Sequence, residues 1–480
     1  MATVYRIHPA IGIARVGNSP TEFFIGPERV GQFPEPPGGF KDSQCRVKRQ
    51  AARFRIYAHH DNGSVEEITS AVANISWTVH LVNKKATNSS NTEPAADLII
   101  DPGARSLGGP NQQQTFDTGT IGFAGIPVIV PLGEIRSDDQ NHLVVLGGFG
   151  HSASPQGTAL VDFYNNPDWH DDVSDGPVSA TITLLSDNSS PPVAGAWVIV
   201  APPKFAPHQD SAITLYDRLL QVMIGGGFVA AASATSYSQH VYPILQRARD
   251  TQWVENTAGH HTWPDPVIAD ADRNAIFARL ASAEMPALNQ PAGPPTGRLT
   301  AEQLAHMQRW KDGAFTNDWV GVPAPQSAIT PDGLDRAALE ACVGGAFDPG
   351  IEVGGLGVFL MLQSANYSAA FRLNHALVSP GNVTWTLSCP WQADFHECVE
   401  HWWPVAHPNY VTRGGVAGQS WTAGIIGSKA DMVDKWNKLG FVVRQGSQHV
   451  EVARCDTACT GTGWLCRLLR RCLQFFGRKS

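Results

Sequence analysis

The first 205 or so residues contain short runs of apolar and β-branched residues separated by turn-forming residues. The runs are rich in Val, Ile, Thr and aromatic residues and occupy positions 53–58, 76–82, 126–132, 142–146, 178–185 and 196–201. Gly, Pro, Asn and Asp lie between them, as is typical of antiparallel strands joined by turns. This part of the chain is therefore predicted to be β-rich, and a sandwich is the most economical architecture for so many short strands.

After residue 203 the apolar positions repeat with a helical period. A polar start at residues 209–211 is followed by five apolar residues that share one helix face: Ile213, Leu215, Leu219, Leu220 and Met223. Similar stretches lie at 239–249, 267–283, 300–311 and 429–439, and residues 286–295 are expected to be a linker or surface loop. The prediction is an α+β protein with a sandwich-like β-rich domain at 1–205, a helical or mixed part at 206–454 and a tail at 455–480.

Composition and charge restrict the class of protein. At 480 residues the chain exceeds the usual size of a single core, and 42% hydrophobic residues suit a compact globular protein. The net charge of −8 argues against a nucleic-acid partner, which normally requires clustered positive charge. The first residues lack the pattern of a signal peptide, and no apolar run approaches the length of a membrane span, so a cytoplasmic location is expected.

The eight cysteines are too few in this length for a disulfide scaffold. Cys45 stands alone, whereas Cys455, Cys459, Cys466 and Cys472 crowd the tail at spacings that match no common zinc site. Free or regulatory thiols are expected there. The basic stretch at 464–476 is amphipathic if it is helical, and it could lie on a membrane surface, dock on a partner or pack on its own domain.

Two compositionally unusual strings carry the candidate chemistry. They are CVGGAFDPGIE at 342–352 and PWQADF at 390–395, which place Cys342 and Trp391 49 residues apart. With HPAIGIARVGN at 8–18, KRQAARFR at 48–55, WHDDVSDGPVSA at 169–180 and WWP at 402–404, they resemble the lysine ε-oxidase and glycine oxidase family. The resemblance covers nearly the whole chain. It implies that Cys342 and Trp391 are joined into cysteine tryptophylquinone, the cofactor of that family.

The resemblance also implies an activity and partners. Natural side chains are poor electrophiles, and a quinone built on an indole supplies a carbonyl that reacts with a primary amine. The implied reaction is oxidative deamination of an amino acid, at a lysine ε-amine or a glycine-like amine. Dioxygen is reduced to hydrogen peroxide and ammonia is released. A flavoprotein is expected to mature the cofactor, and a homo-oligomer is expected.

The catalytic base is predicted less directly. In the family that this chain resembles, a carboxylate stands one helical turn before the cysteine, but Ala338 occupies that position here. Asp335 lies two turns before Cys342 on the same face of a predicted helix, so it is the candidate base. The other candidate carboxylates are Glu340, Asp394 and Glu397. A useful base needs a pKa raised by a dry environment.

Other classes of protein remain open from the residues alone. His396, Glu397 and His401 resemble a helical zinc site of a hydrolase, but the two histidines are five residues apart instead of four. The glycine-rich residues 147–150 lack the pattern of a dinucleotide site and indicate a turn. A family member whose quinone is never made would be a non-catalytic binding protein, distinguished from the enzyme by its colour and mass.

A helix that starts near Trp391 makes a packing prediction. Phe395 and Cys398 would share the face of Trp391, whereas His396 would point about 140° away from it. Phe395 is therefore expected beside the ring, and His396 farther out or at the surface. Trp385, Trp402 and Trp403 cluster nearby in sequence and are expected to wall the pocket or to belong to the core.

Overall fold

The structure is a computed structural model. It describes residues 3–255, 263–281, 299–344, 352–353, 360–397 and 405–455. The linker predicted at 286–295, the residues Cys398, His401, Trp402 and Trp403, and the tail from residue 456 onward lie outside the described residues. No described helix is long and apolar enough to cross a membrane.

Strands dominate the first part of the chain. They are β1 (Val4–His8), β2 (Ile11–Arg15), β3 (Phe23–Ile25), β4 (Arg49–His59), β5 (Val65–Ile68), β6 (Ala73–Val79), β7 (Arg105–Leu107), β8 (Gln113–Thr115), β9 (Thr120–Phe123), β10 (Ile126–Ile129), β11 (Gly133–Ser137), β12 (Leu143–Gly147), β13 (Ser152–Ala153), β14 (His170–Asp171), β15 (Ser174–Leu184), β16 (Val193–Ala194) and β17 (Ala196–Ala201). Each of the six predicted runs contains or overlaps one of these strands.

Most of these strands form one mixed sheet instead of a sandwich of two sheets. Thirteen strands belong to it, and its central order is β7-β6-β15-β17-β2-β4-β12-β11-β8. Strands β7 and β8 at the two ends contact each other, so the sheet nearly closes. The 11-residue strand β4 pairs with β1, β2, β3, β5 and β12 along its length. The short apolar runs predict two separate layers of strands. Because β4 is long and pairs with different strands along its length, it joins the strands into one sheet.

Helices and short hairpins make up the second part. The helices are α1 (Leu215–Gly225), α2 (Tyr242–Asp250), α3 (Asp270–Ala281), α4 (Ala301–Lys311), α5 (Pro331–Glu340), α6 (Trp391–Glu397) and α7 (Lys429–Lys435). The strands are β18 (Tyr367–Ala369), β19 (Arg372–Leu373), β20 (Tyr410–Arg413), β21 (Val416–Ser420), β22 (Phe441–Gln445) and β23 (Gln448–Val452). The predicted division into a β-rich first part and a more helical second part is confirmed, whereas the exact domain boundary at residue 205 stays a prediction.

Two helices that position the candidate site begin at side-chain caps. The hydroxyl of Thr214 accepts the N–H of Asp217 at the start of α1, and that of Thr330 accepts the N–H of Gly333 at the start of α5. Such caps satisfy N–H groups that have no partner inside the helix. Both helices pack on one face of β2 and β17, where Ile13 and Ile199 belong to the same buried cluster as Leu219, Leu339 and Cys342. The sheet therefore supports the end of α5, immediately before Cys342.

One cysteine prediction is wrong. Cys45 and Cys455 form a disulfide across 410 residues of sequence. The prediction of free thiols in the tail is therefore wrong for Cys455, whereas the other three tail cysteines lie outside the described residues. The bridge ties the end of the described chain to the loop that precedes β4. Cys342 and Cys389 are free and buried.

Candidate functional site

Cys342 lies just beyond the C-terminus of α5. Its side chain is 1% exposed, and its thiol donates to the carbonyl of Ala338 at 3.4 Å. The residues that follow pack against the start of α1, because Gly344 donates its N–H to Ile213 at 2.9 Å. A Cβ atom on Gly344 would lie 2.0 Å from the carbonyl oxygen of Thr214. Only glycine allows this approach, so the glycine of the string fixes the backbone next to the cysteine.

A buried ion pair contacts the sulfur of Cys342. Arg15, at the end of β2, places one guanidinium nitrogen 3.9 Å from the sulfur and 2.8 Å from a carboxylate oxygen of Glu352. Both charged side chains are only 2% exposed. Burial raises the pKa of the Cys342 thiol, Glu352 raises it further, and Arg15 opposes the rise. The thiol is therefore neutral in this arrangement.

Trp391 is the first residue of α6, and its backbone is held by a buried carboxylate. Its N–H donates to Asp171 at 3.1 Å, and the same carboxylate forms an ion pair with Lys85. Asn83 donates to the other oxygen of Asp171 at 3.1 Å. The side chains of Lys85 and Asp171 are fully buried. This clamp joins the start of α6 to β14 and so fixes the position of the indole.

The indole of Trp391 is enclosed by aromatic rings. Phe395 lies edge-on at 4.9 Å between ring centroids, and Trp436 lies edge-on at 5.4 Å. The predicted packing of Phe395 beside the ring is confirmed, and His396 is only half-buried, as expected for a residue turned away from the ring. Trp385 is engaged elsewhere, because its indole donates to Thr87 at 2.8 Å.

The indole N–H of Trp391 is buried and has no hydrogen-bond partner among the described residues. Burying a donor without a partner costs about 1–3 kcal/mol. His170 precedes Asp171, which accepts from the backbone of Trp391, and within the described ranges both of its buried ring nitrogens lack partners; burial lowers the pKa of His170 to about 4. The indole of Trp391 and strand β14 thus both hold buried polar atoms that apolar packing does not explain. A tryptophan that acquires polar ring substituents fits these surroundings.

Cys342 and Trp391 pack against different neighbours in this structure. Cys342 belongs to a buried cluster with Ala338 and Leu339, whereas Trp391 belongs to another with Phe395 and Trp436. Their residue types and burial fit a quinone precursor, but a thioether requires bonded contact. Formation of the bond therefore requires the two segments to approach each other. The thioether stays a prediction.

Asp335 is occupied by contacts that anchor α5. Its carboxylate accepts from the His8 ring at 2.9 Å and from the backbone N–H of Ala10 at 2.6 Å. The second ring nitrogen of His8 lies 3.2 Å from a ring nitrogen of His59. These contacts tie α5 to the connection between β1 and β2. Catalysis by Asp335 stays a prediction, and its contacts favour an anchoring role.

The remaining candidate carboxylates differ in their surroundings. Glu340 is paired with Arg247 at 3.1 Å and with Arg336 at 2.8 Å. Glu397 is about half-exposed and pairs with Lys429. Asp394 is 1% exposed and lies three residues after Trp391 in α6. Residues three apart are neighbours on one helix face, so Asp394 is the candidate that the helix places beside Trp391.

A large cavity lies beside the helix that leads to Cys342. Its volume is about 1210 Å³, and it is lined by residues 30–33, α2, α5 and residues 322–326. A narrow recess shares Asp210 and Glu340 with this cavity and reaches Ala341, the residue before Cys342. The cavity is large enough for an amino acid. It is the candidate route by which a small amine approaches the Cys342 side of the site.

The candidate zinc site of His396, Glu397 and His401 is not tested, because His401 lies outside the described residues. Within the described ranges, no group of three or more metal-binding side chains occurs. Residues 148–150 form the connection after β12, where a Cβ atom on Gly148 would lie 2.4 Å from a carboxylate oxygen of Asp172. The sequence did not single out Arg15, Asp171, Lys85 or Trp436 as site residues. Arg15 and Asp171 lie inside the unusual strings, but Lys85 and Trp436 carry no sequence signal.

The raised pKa of the buried Asp172 carboxyl predicts that the stability of the protein depends on pH. Burial raises its pKa from 3.8 to about 7. Since the folded pKa exceeds the unfolded one, this group contributes stability below about pH 4, and the contribution is lost as the pH rises through 7. Asp172→Asn should therefore be more stable relative to the parent protein at pH 8 than at pH 5. Urea unfolding at both pH values measures this, and an equal stability difference at the two would contradict it.

Comparisons with known proteins agree with this architecture. Residues 8–200 match the model of the L-lysine ε-oxidase N-terminal region, and residues 285–421 match that of the L-lysine ε-oxidase C-terminal domain. L-lysine 6-oxidase of Marinomonas mediterranea is 25% identical over 82% of this chain and 71% of its own length.

Solved structures show the same fold. The crystal structure of the L-Lys ε-oxidase from Marinomonas mediterranea superposes with a TM-score of 0.73, at 22% identity, over 94% of this chain and 95% of that chain. The Schiff base intermediate of that enzyme with L-Lys superposes with a TM-score of 0.74, at 22% identity and over the same shares of the two chains. At this identity the likeness establishes the fold alone.

The fold and the family matches define an amino-acid oxidase with a β-rich first part and a helical second part. Within that class, the chain belongs to the L-lysine ε-oxidase family, since the two models together match more than half of its residues.

Proposed function

We propose that this chain oxidatively deaminates a primary amine of an amino acid, with the lysine ε-amine as the favoured substrate group. The cofactor would be a cysteine tryptophylquinone made from Cys342 and Trp391. The observation that carries the proposal is the match to both halves of the L-lysine ε-oxidase family, with a buried cysteine and a buried tryptophan in its unusual strings. The curated relative is named for L-lysine, and the glycine-like alternative gains no support from it.

The surroundings of Trp391 and Cys342 suit that cofactor by residue type and burial. When formed, the quinone supplies an electrophilic carbonyl and takes up two electrons. The amine-bearing carbon leaves as a carbonyl, ammonia is released, and dioxygen becomes hydrogen peroxide. The Asp171–Lys85 clamp would hold the ring in place. Phe395 and Trp436 would keep water from its faces.

Asp394 is the base that we favour. The proton on the amine-bearing carbon must be removed by a group beside Trp391, and Asp394 is buried on the same face of α6. Asp335 is less suited, because its carboxylate already accepts from His8 and Ala10. The substrate would approach through the cavity that α5 borders. A maturation flavoprotein, a homo-oligomeric state and a cytoplasmic location are further parts of the proposal.

The activity is tested with an amine panel. The protein co-expressed with its maturation flavoprotein would be given L-lysine, Nα-acetyl-lysine, Nε-acetyl-lysine, glycine and L-arginine. Peroxide and ammonia would be measured together. We expect equal amounts of both from L-lysine, and neither from Nε-acetyl-lysine, whose ε-amine is blocked. Peroxide from glycine alone would show that the substrate group is a glycine-like amine instead of the lysine ε-amine. Absence of peroxide with every amine would favour a non-catalytic binding protein.

A further inference from the structure

Three buried groups from different parts of the sequence meet at the guanidinium of Arg15, which contacts both Glu352 and the sulfur of Cys342. Arg15 comes from β2, Cys342 follows α5, and Glu352 lies ten residues later. One guanidinium nitrogen of Arg15 contacts Glu352 at 2.8 Å, the sulfur at 3.9 Å and the carbonyl of Ala341 at 3.3 Å. The other terminal nitrogen donates to the carbonyl of Pro202 at 2.9 Å. The arginine is thus fixed by the backbone while it touches both the acid and the thiol.

The thiol must lose its proton before its sulfur can bond to a ring, because the thiolate is the reactive form. A lone thiolate is costly in a buried site. Proton transfer to Glu352 avoids that cost, since the site holds one positive and one negative charge both before and after the transfer. After the transfer, the positive charge of Arg15 pairs with the thiolate of Cys342 instead of with the carboxylate of Glu352.

We infer that Glu352 accepts the thiol proton of Cys342 during cofactor formation and that Arg15 is the positioning residue that holds both groups. This inference rests on the proposed function. In the coupling, the S–H bond of Cys342 and one C–H bond of the Trp391 ring break, and a C–S bond forms. The two protons and two electrons pass to dioxygen, which becomes hydrogen peroxide.

Other charged groups near the sulfur are less suited to this role. Lys204 and Asp210 influence the thiol electrostatically, but they are paired with each other at 3.1 Å. Asp335 lies on α5 but is held by His8 and Ala10. Within the described part of the chain, the sulfur of Cys342 contacts the carbonyl of Ala338 and the guanidinium of Arg15, and Glu352 is the ion-pair partner of that guanidinium.

The test measures how much of each purified protein carries the Cys342–Trp391 cross-link, by peptide mass spectrometry after co-expression with the maturation flavoprotein. The variants are Glu352→Gln, Glu352→Asp and the double variant Arg15→Met/Glu352→Leu. The double variant serves as a folding control, because an apolar pair often replaces a buried ion pair without loss of stability. Thermal unfolding of every variant is measured in parallel.

We expect Glu352→Gln and the double variant to lose cross-link by roughly tenfold or more, because neither keeps a carboxylate that can accept the thiol proton, and a positioned proton acceptor contributes ~10²–10⁴ to a rate. Glu352→Asp should restore part of it. A folded double variant that is cross-linked as fully as the parent protein would overturn the inference and leave the proposed function intact. A parent protein without the cross-link would overturn the proposed function itself, and this inference with it.

Discussion

Replacing Trp391 with Phe is expected to abolish amine oxidation and to remove the visible absorbance of the protein. Phenylalanine keeps an aromatic ring in the enclosed site between Phe395 and Trp436. It cannot form the indole quinone. The expected loss of turnover is at least ~10⁶-fold, the lower end of enzymatic rate accelerations. Peroxide release from L-lysine and an absorption spectrum of the same sample measure it.

The matched control is Trp436→Phe. Trp436 is also a buried indole, and it touches the ring of Trp391 without carrying the proposed chemistry. This variant should keep its colour, because Cys342 and Trp391 are unchanged, while it loses stability and part of its turnover through the smaller buried ring. Measurable amine oxidation by Trp391→Phe would contradict the assignment of the cofactor to this residue.

Replacing Asp394 with Asn should lower turnover by ~10²–10⁴, the usual contribution of a positioned base. The cofactor should still form, because the substitution keeps the size of the side chain and leaves Cys342 and Trp391 in place. Stopped-flow reduction of the quinone by L-lysine measures the step directly. Glu397→Gln in the same helix is the control, since Glu397 pairs with Lys429 at the surface.

Asp335→Ala separates the two candidate bases. This substitution leaves the ring N–H of His8 and the N–H of Ala10 without a partner, which costs about 1–3 kcal/mol for each group. We therefore expect lower stability with turnover largely retained in the folded fraction. If Asp335→Ala instead lost ~10²–10⁴ of its turnover at unchanged stability, the base would be Asp335.

The sequence predicted the classes of element well and their assembly less well. Apolar runs such as 196–201 are strands in the structure. They could be predicted because the spacing of apolar residues along a run shows which of its faces are buried. The nearly closed sheet was not predicted, because it depends on which partners β4 adopts along its length, and pairing between distant strands leaves no local pattern. The disulfide between Cys45 and Cys455 was not predicted for the same reason, since residues so far apart in sequence leave no local pattern.

In the candidate site too, contacts within one helix could be predicted from the sequence, whereas contacts between distant parts of the chain could not. Helical spacing after Trp391 correctly placed Phe395 beside the ring, since both residues belong to one short helix. The spacing before Cys342 placed Asp335 on a helix, but it could not show that His8 and Ala10 occupy its carboxylate. The partners of a side chain come from remote strands, and the tertiary fold alone brings them together.

The proposed function requires Cys342 and Trp391 to become one covalent unit. Peptide mapping by mass spectrometry, on protein purified after co-expression with the proposed maturation flavoprotein, tests whether the two residues are joined. We expect one linked species that contains both residues, with two oxygen atoms added and four hydrogen atoms lost. Separate, unmodified Cys342 and Trp391 peptides from a protein that actively oxidises L-lysine would contradict it.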